Sequence, residues 1–268
     1  MRYYCLIFFF YGLIGKVFIP AAQAQILNAD RYGATLDSTK PFKAVVDLGF
    51  SIDKQLSLLL NAHTKVDLSY FYKKSLFVLV GQYRFVQSGG KELVHNGFAH
   101  SRVRLFKAHW VHPERFAQYQ SDGIRGMERR ILGGANARFI LKEYPKGSWH
   151  VGIGAMYEYE RWNYSAVDAD VPRPPDLPLQ LHYIKLNSYL SLTQRFREWM
   201  HFQMTLYAQA RPDSFIRYPR IALNGKLSFQ ITKHIEFAIS YQLFHDSRPP
   251  TPIDQLFYVV SHKLSFRF

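Results

Sequence analysis

Residues 220–244 read RIALNGKLSFQITKHIEFAISYQLF. In 220–231, Ile221, Leu223, Gly225, Leu227, Phe229 and Ile231 fall on one side of an extended chain. Arg220, Ala222, Asn224, Lys226, Ser228 and Gln230 fall on the other. Thr232-Lys233 interrupt the pattern. It then resumes, with Ile235, Phe237, Ile239, Tyr241 and Leu243 opposed to Glu236, Ala238, Ser240 and Gln242. A period of two held over more than ten residues cannot come from a helix, whose faces repeat every 3.6 residues. It describes two long strands joined by a tight turn.

The same script opens the chain's folded part. Phe42, Ala44, Val46, Leu48, Phe50 and Ile52 alternate with Lys43, Asp47 and Ser51. Leu56, Leu58, Leu60, Ala62, Val66, Leu68 and Tyr70 alternate with Ser57, Asn61, His63, Lys65, Asp67 and Ser69. Strands of soluble sheets average about five or six residues. Strands of this length suit a tilted membrane crossing of about 9–11 residues, extended beyond the lipid. Twelve candidates follow, at 42–53, 55–72, 75–87, 97–111, 114–123, 128–142, 149–161, 182–196, 200–211, 219–231, 234–245 and 256–268. The expected fold is all-β, a closed antiparallel transmembrane β-barrel with short periplasmic turns and longer extracellular loops. An even strand number is what bacterial single-chain barrels require.

Loop lengths point the same way. Residues 73–74, 112–113, 143–148, 197–199 and 232–233 make short connections. The long ones are 87–96, 162–181 and 246–255. The long ones all fall among the alternate connections, as outer loops facing periplasmic turns would, while the first and third connections on that side are short. Pro172, Pro174, Pro175 and Pro178 stiffen one long loop, and Pro249, Pro250 and Pro252 another. Proline cannot donate to a sheet ladder, so these segments lie outside the strands. Trp110, Trp149, Trp162, Trp199, Tyr70, Tyr72, Tyr157 and Tyr159 gather near strand ends, where interfacial girdles place aromatic rings.

Residues 1–24 read as a signal peptide. Arg2 is the positive start, Leu6–Ile14 an apolar run, and Ala22-Gln23-Ala24 a small-x-small cleavage site. Cys5, the single cysteine, lies within it, so the mature chain has no thiol for disulfide or metal. Residues 25–41 form a polar lead-in, and 42–268 the barrel. The formal net charge of +14 falls to +12 with the loss of Arg2 and Lys16. That excess asks for an anionic partner or setting. Export removes the chain from the compartment where nucleic acid is the usual partner, so nucleic acid is not expected. The final alternation, Tyr258, Val260, Leu264, Phe266 and Phe268, looks like the signal read by the outer-membrane barrel assembly machinery.

A resemblance rests on residues 128–139, ERRILGGANARF, with Phe116-Ala117-Gln118-Tyr119-Gln120 before them. Tyr157-Glu158-Tyr159-Glu160 and Tyr207-Ala208-Gln209-Ala210-Arg211-Pro212-Asp213 add to it. From Leu93 onward the chain resembles the salt-induced outer-membrane (YdiY-like) family of uncharacterised bacterial barrels. Asn136 stands where members often carry a further glycine. The resemblance implies a fold and an outer-membrane location, and no activity.

If the apolar face meets lipid, the other lines the interior. By parity the lining bases are Lys43, Lys65, Arg84, Arg102, Arg104, Arg130, Arg138, Lys142, Lys185, Arg195, Arg220, Lys226, Lys263 and Arg267. The lining acids are Asp47, Asp67, Asp122, Glu158, Glu160 and Glu236. Rings of Arg and Lys select anions. Arg84, Arg102, Arg104, Arg130, Arg138, Lys185, Arg195 and Lys226 are therefore the candidate sites for small anionic solutes in a narrow channel or binding lumen. A second reading is a non-conducting, structural or stress-related barrel, with the charges used in internal ion pairs and contacts to lipopolysaccharide. The third is a hydrolase. His245-Asp246-Ser247 is its most suggestive string, but consecutive strand residues point to opposite faces and cannot form a triad among themselves. His109 and His112 have no third ligand nearby for a metal. The expectation is no catalysis, no cofactor and no metal.

Overall fold

The computed structural model describes residues 41–266 except 55, 107–109, 215 and 216. The expected leader 1–24, the segment 25–40, and Arg267 and Phe268 lie outside the described residues. Twelve strands follow one another: β1 (Phe42–Lys54), β2 (Leu58–Tyr72), β3 (Ser75–Ser88), β4 (Lys91–Leu105), β5 (Val111–Asp122), β6 (Met127–Tyr144), β7 (Gly147–Trp162), β8 (Leu179–Arg197), β9 (Met200–Ala210), β10 (Arg220–Gln230), β11 (Ile235–Asp246) and β12 (Leu256–Phe266). Each pairs antiparallel with the next, in sequence order from β1 to β12. A 3-10 turn, Gly123–Arg125, stands between β5 and β6.

The sheet is curled into a barrel, and contacts across its interior show how tightly. Adjacent strands lie about 4.8 Å apart, so strands three apart in a flat sheet are roughly 14 Å from one another. Yet Tyr189 on β8 donates from Oη to Glu114 on β5 at 2.6 Å. Arg220 on β10 reaches Glu160 on β7, also at 2.6 Å. Arg125, in the turn before β6, lies 4.9 Å from the ring centre of Phe244 on β11 and 5.5 Å from that of Phe257 on β12. No ladder pair joins β1 to β12 among the described residues, and both faces of β1 are largely exposed.

Side chains alternate as the period-two reading requires. Ile131, Tyr157, Ile184, Leu206 and Ile239 are exposed on the outside, whereas Arg130, Glu158, Lys185, Tyr207 and Ala238 are buried within. Three local departures have physical causes. The expected long loop at 87–96 is a two-residue turn, Gly89-Gly90, with φ of 56° and 81°. Two positive φ values in succession match the twist of a hairpin and are free of steric cost only for glycine. β5 begins at Val111, not after His112-Pro113. Pro113 is tolerated there because its ladder runs to Ala137 on β6 alone, the β4 pairing starting at Glu114. A bulge between Ile140 and Lys142 sets Lys142 opposite exposed Trp149, which removes it from the interior row where strict alternation placed it.

Candidate functional site

The interior from β4 to β11 is filled by two ionic layers. The layer nearer the short-turn rim is centred on Glu114. Arg104 donates to it from Nε at 2.6 Å, and Arg102 lies 3.6 Å away. Arg138 donates to the hydroxyl of Tyr189 at 3.2 Å, and that hydroxyl donates to Glu114. The Tyr189 ring lies over Gly152, where any Cβ would stand 2.0 Å from it. Gly152 is thus the gap that lets a phenol enter the charged layer.

Nearer the long-loop rim, Glu158 and Glu160 share the inner face of β7 with Trp162, whose indole donates to Glu160 at 3.1 Å. Arg130 donates from Nε to Glu158 at 2.6 Å and lies 3.2 Å from Glu160. Lys185 pairs with Glu158. Arg220 contacts both glutamates and reaches Asp246 at 2.7 Å. Above them Asp122 holds Arg125 at 2.7 Å. Removing two facing carboxylates from water is costly, and the three bases around them supply the compensation. Between the layers, Asn187 donates to Asn136 and accepts from Gln209, each at 3.0 Å. Arg130 also donates to Gln209, at 3.3 Å. A cavity of about 20 Å³ touches Arg102, Gln118, Asn187 and Gln209, and has room for about one water.

A larger cavity of about 300 Å³ opens above the outer layer. Lys185, Arg220, Glu160 and Asp246 form its floor, and the loops after β9 and β11 its sides. Those loops contribute Arg211, Tyr218, Arg248, Pro249 and Pro250. Arg211 is stacked 5.2 Å from the Tyr183 ring and paired with Asp213, whose carboxyl it holds below the usual aspartate range through hydrogen bonding. Arg248 is stacked 5.2 Å from the Tyr218 ring and makes no ion pair among the described residues.

Of the candidate residues read from the sequence, Arg102, Arg104 and Arg138 meet in one layer and Arg130 and Lys185 in the other. The remaining three lie apart. Arg84 points inward opposite His63 and Asn96. Lys226 sits 3.4 Å from Glu236 toward the short-turn rim. Arg195, on the inner row opposite His201, is exposed at that rim. Phe266 ends β12 with its side chain exposed. Parity reading missed Glu114 and Asp246, although Glu114 shares its parity with Asp122 and could have been found by carrying that register back through β5. Nothing in the sequence marks Arg125, which lies in a turn. The interior is also less polar than expected: Leu76, Val78, Val80 and Phe98 pack inside as a buried apolar cluster.

In the string His245-Asp246-Ser247, Ser247 lies 3.3 Å from His245 Nε2 and donates to the Pro219 carbonyl at 2.7 Å. Asp246 is taken up by Arg220 on the inner face. Among the described residues no cluster of His, Cys, Asp and Glu is arranged to hold a metal.

No curated protein matches the sequence. The NanC porin, solved in a rhombohedral crystal form, is similar over 84% of this chain and 99% of its own, at 12% identity and a TM-score of 0.41. The family described as a protein of unknown function, DUF481, matches residues 46–257, from within β1 to the start of β12; the chain belongs to that family, and with it to the YdiY-like outer-membrane barrels.

Proposed function

We propose that this outer-membrane barrel takes small anionic solutes into the vestibule at its long-loop mouth, and that the ion-paired interior below restricts their passage. The observation that carries this is the 300 Å³ cavity lined by Lys185, Arg211, Arg220 and Arg248 against Glu160 and Asp246. Its size is at the lower end of ligand pockets. Arg211 and Arg248 rest on tyrosine rings, which hold each planar guanidinium in place for a carboxylate or phosphate. A low-dielectric wall around such an excess draws anions in. Residues 1–24 deliver the chain as a cleaved leader.

The test is planar-bilayer recording of the refolded protein, with R211Q/R248Q beside it. The expected result is a small conductance with anion preference, blocked by organic carboxylates, and a block weakened in the double variant. Absence of both conductance and carboxylate binding, or a cation preference, removes the reading. The filled interior favours a second one, a non-conducting barrel whose charges are consumed in its own pairs. Carboxylate binding without current separates a binding vestibule from that purely structural role.

A further inference from the structure

The lipid-facing surface of β6, β7 and β8 is ordered in rows. Nearest the long-loop rim, Arg129, Arg161 and Gln180 lie directly opposite one another in register. The next row is Ile131, Tyr159 and His182, followed by Gly133, Tyr157 and Ile184, then Ala135, Ala155 and Leu186. Charge thus gives way to aromatic rings and then to small and aliphatic side chains, the profile of an interface descending into hydrocarbon. Tyr157 and Tyr159 are fixed by His182, which bonds the Tyr157 hydroxyl at 2.7 Å and lies 4.8 Å from the Tyr159 ring.

The top row is unbalanced. Like charges directly opposite on neighbouring strands repel. Glu128 answers Arg161 at 2.7 Å, while Arg129 is exposed and has no ion pair among the described residues. We infer that Arg129 and Arg161 clasp a phosphate of the outer leaflet's lipopolysaccharide, with the Tyr157–Tyr159–His182 cluster packed against the lipid just below it. A phosphate monoester carries up to two negative charges and enough acceptor oxygens for both guanidinium forks. It sits at the depth at which an aromatic girdle meets the headgroups. The site lies outside the barrel wall, and its occupancy is independent of what the vestibule binds.

The experiment uses the full barrel, freed of lipid and refolded in detergent, with fluorescently labelled bisphosphorylated rough lipopolysaccharide as the probe. R129Q/R161Q is compared with the parent protein and with R115Q. Arg115 is exposed on the same lipid-facing surface toward the opposite rim, so R115Q, and the single variants R129Q and R161Q that each remove the same one charge, control for loss of charge alone. Hydrogen bonds to charged groups contribute enough that losing both guanidiniums should weaken binding by about tenfold or more. R115Q should bind as the parent does, R129K/R161K should recover part of the loss, and dephosphorylated lipopolysaccharide should bind weakly to every form. The heat-modifiable mobility of a folded barrel shows that each variant is assembled. Equal binding by the double variant and the parent overturns the inference. So does competition by phosphatidylglycerol or inorganic phosphate as effective as that by the unlabelled glycolipid, since either would mean a generic anion contact.

Discussion

At the scale of single residues, the interior depends on positions whose size matters as much as their charge. Gly152 leaves the space that the Tyr189 ring fills. Gly152→Ala should displace that ring and break its bond to Glu114, at a cost of about 1–3 kcal/mol, as for other overpacked sites. Urea titration of the refolded barrel in lipid checks this, and an unchanged midpoint would contradict the assignment of Gly152 as a gap. Arg220 faces Glu158, Glu160 and Asp246 at once. Arg220→Met leaves these acids undercompensated, and removing one side of a buried ionic group costs about 3–5 kcal/mol. In the same titration Arg220→Met should therefore be the more damaging of the two. Lys226→Met, which removes one partly buried pair 3.4 Å long and leaves a single acid, Glu236, near the rim, should cost less than either.

The strands themselves were legible from alternation, because a lipid face and an inner face impose opposite chemistries on consecutive residues. Their ends and irregularities were less so. In β3 both faces are apolar, with Leu76, Val78 and Val80 inside and Phe77 and Leu79 outside, so parity alone carries no direction there. A bulge adds one residue and inverts the faces beyond it, as at Lys142, and nothing in the composition announces it. The loop between β9 and β10 adds a pH response. The carboxyl of Asp213 is held below its ordinary range by the Arg211 hydrogen bonds. A lowered folded value means that the pair is fully formed above the ordinary aspartate pKa of about 3.9 and is lost as pH falls through the lowered one. Protonation releases the Arg211 fork toward the vestibule. Block by a non-titrating anion such as perchlorate should accordingly strengthen only in acid, below that ordinary value, and Asp213→Asn should show the stronger block already at neutral pH. A block that is insensitive to Asp213→Asn would separate the loop from the vestibule.

At the scale of the whole molecule, the barrel must satisfy the backbone of β1 and β12 as well as it satisfies the ten strands between them. Unpaired amides in hydrocarbon cost several kcal/mol each, so spanning sheets close on themselves. In bilayer nanodiscs the outer-edge amides of β1 should be as slow to exchange as those of β2. Fast exchange confined to β1 would show an open seam. Closure also bears on the interior, since the ionic layers lie between β4 and β11, away from that seam, and give the wall its internal bracing.

The sequence by itself determined the strand number, the antiparallel order, which face of most strands meets lipid, and the surplus of basic residues turned inward. These follow from local alternation and from loop length, properties of neighbours along the chain. Only the tertiary structure decided what the inward charges do. Arg130 meets Glu158 across 28 residues, Arg220 meets Glu160 across 60, and Glu114 meets Tyr189 across 75. Curvature, register and bulges set such meetings, and each sums small twists over many strands. No short window of sequence contains that sum, which is why the inward bases were visible in the sequence while the two ionic layers and the vestibule above them were not.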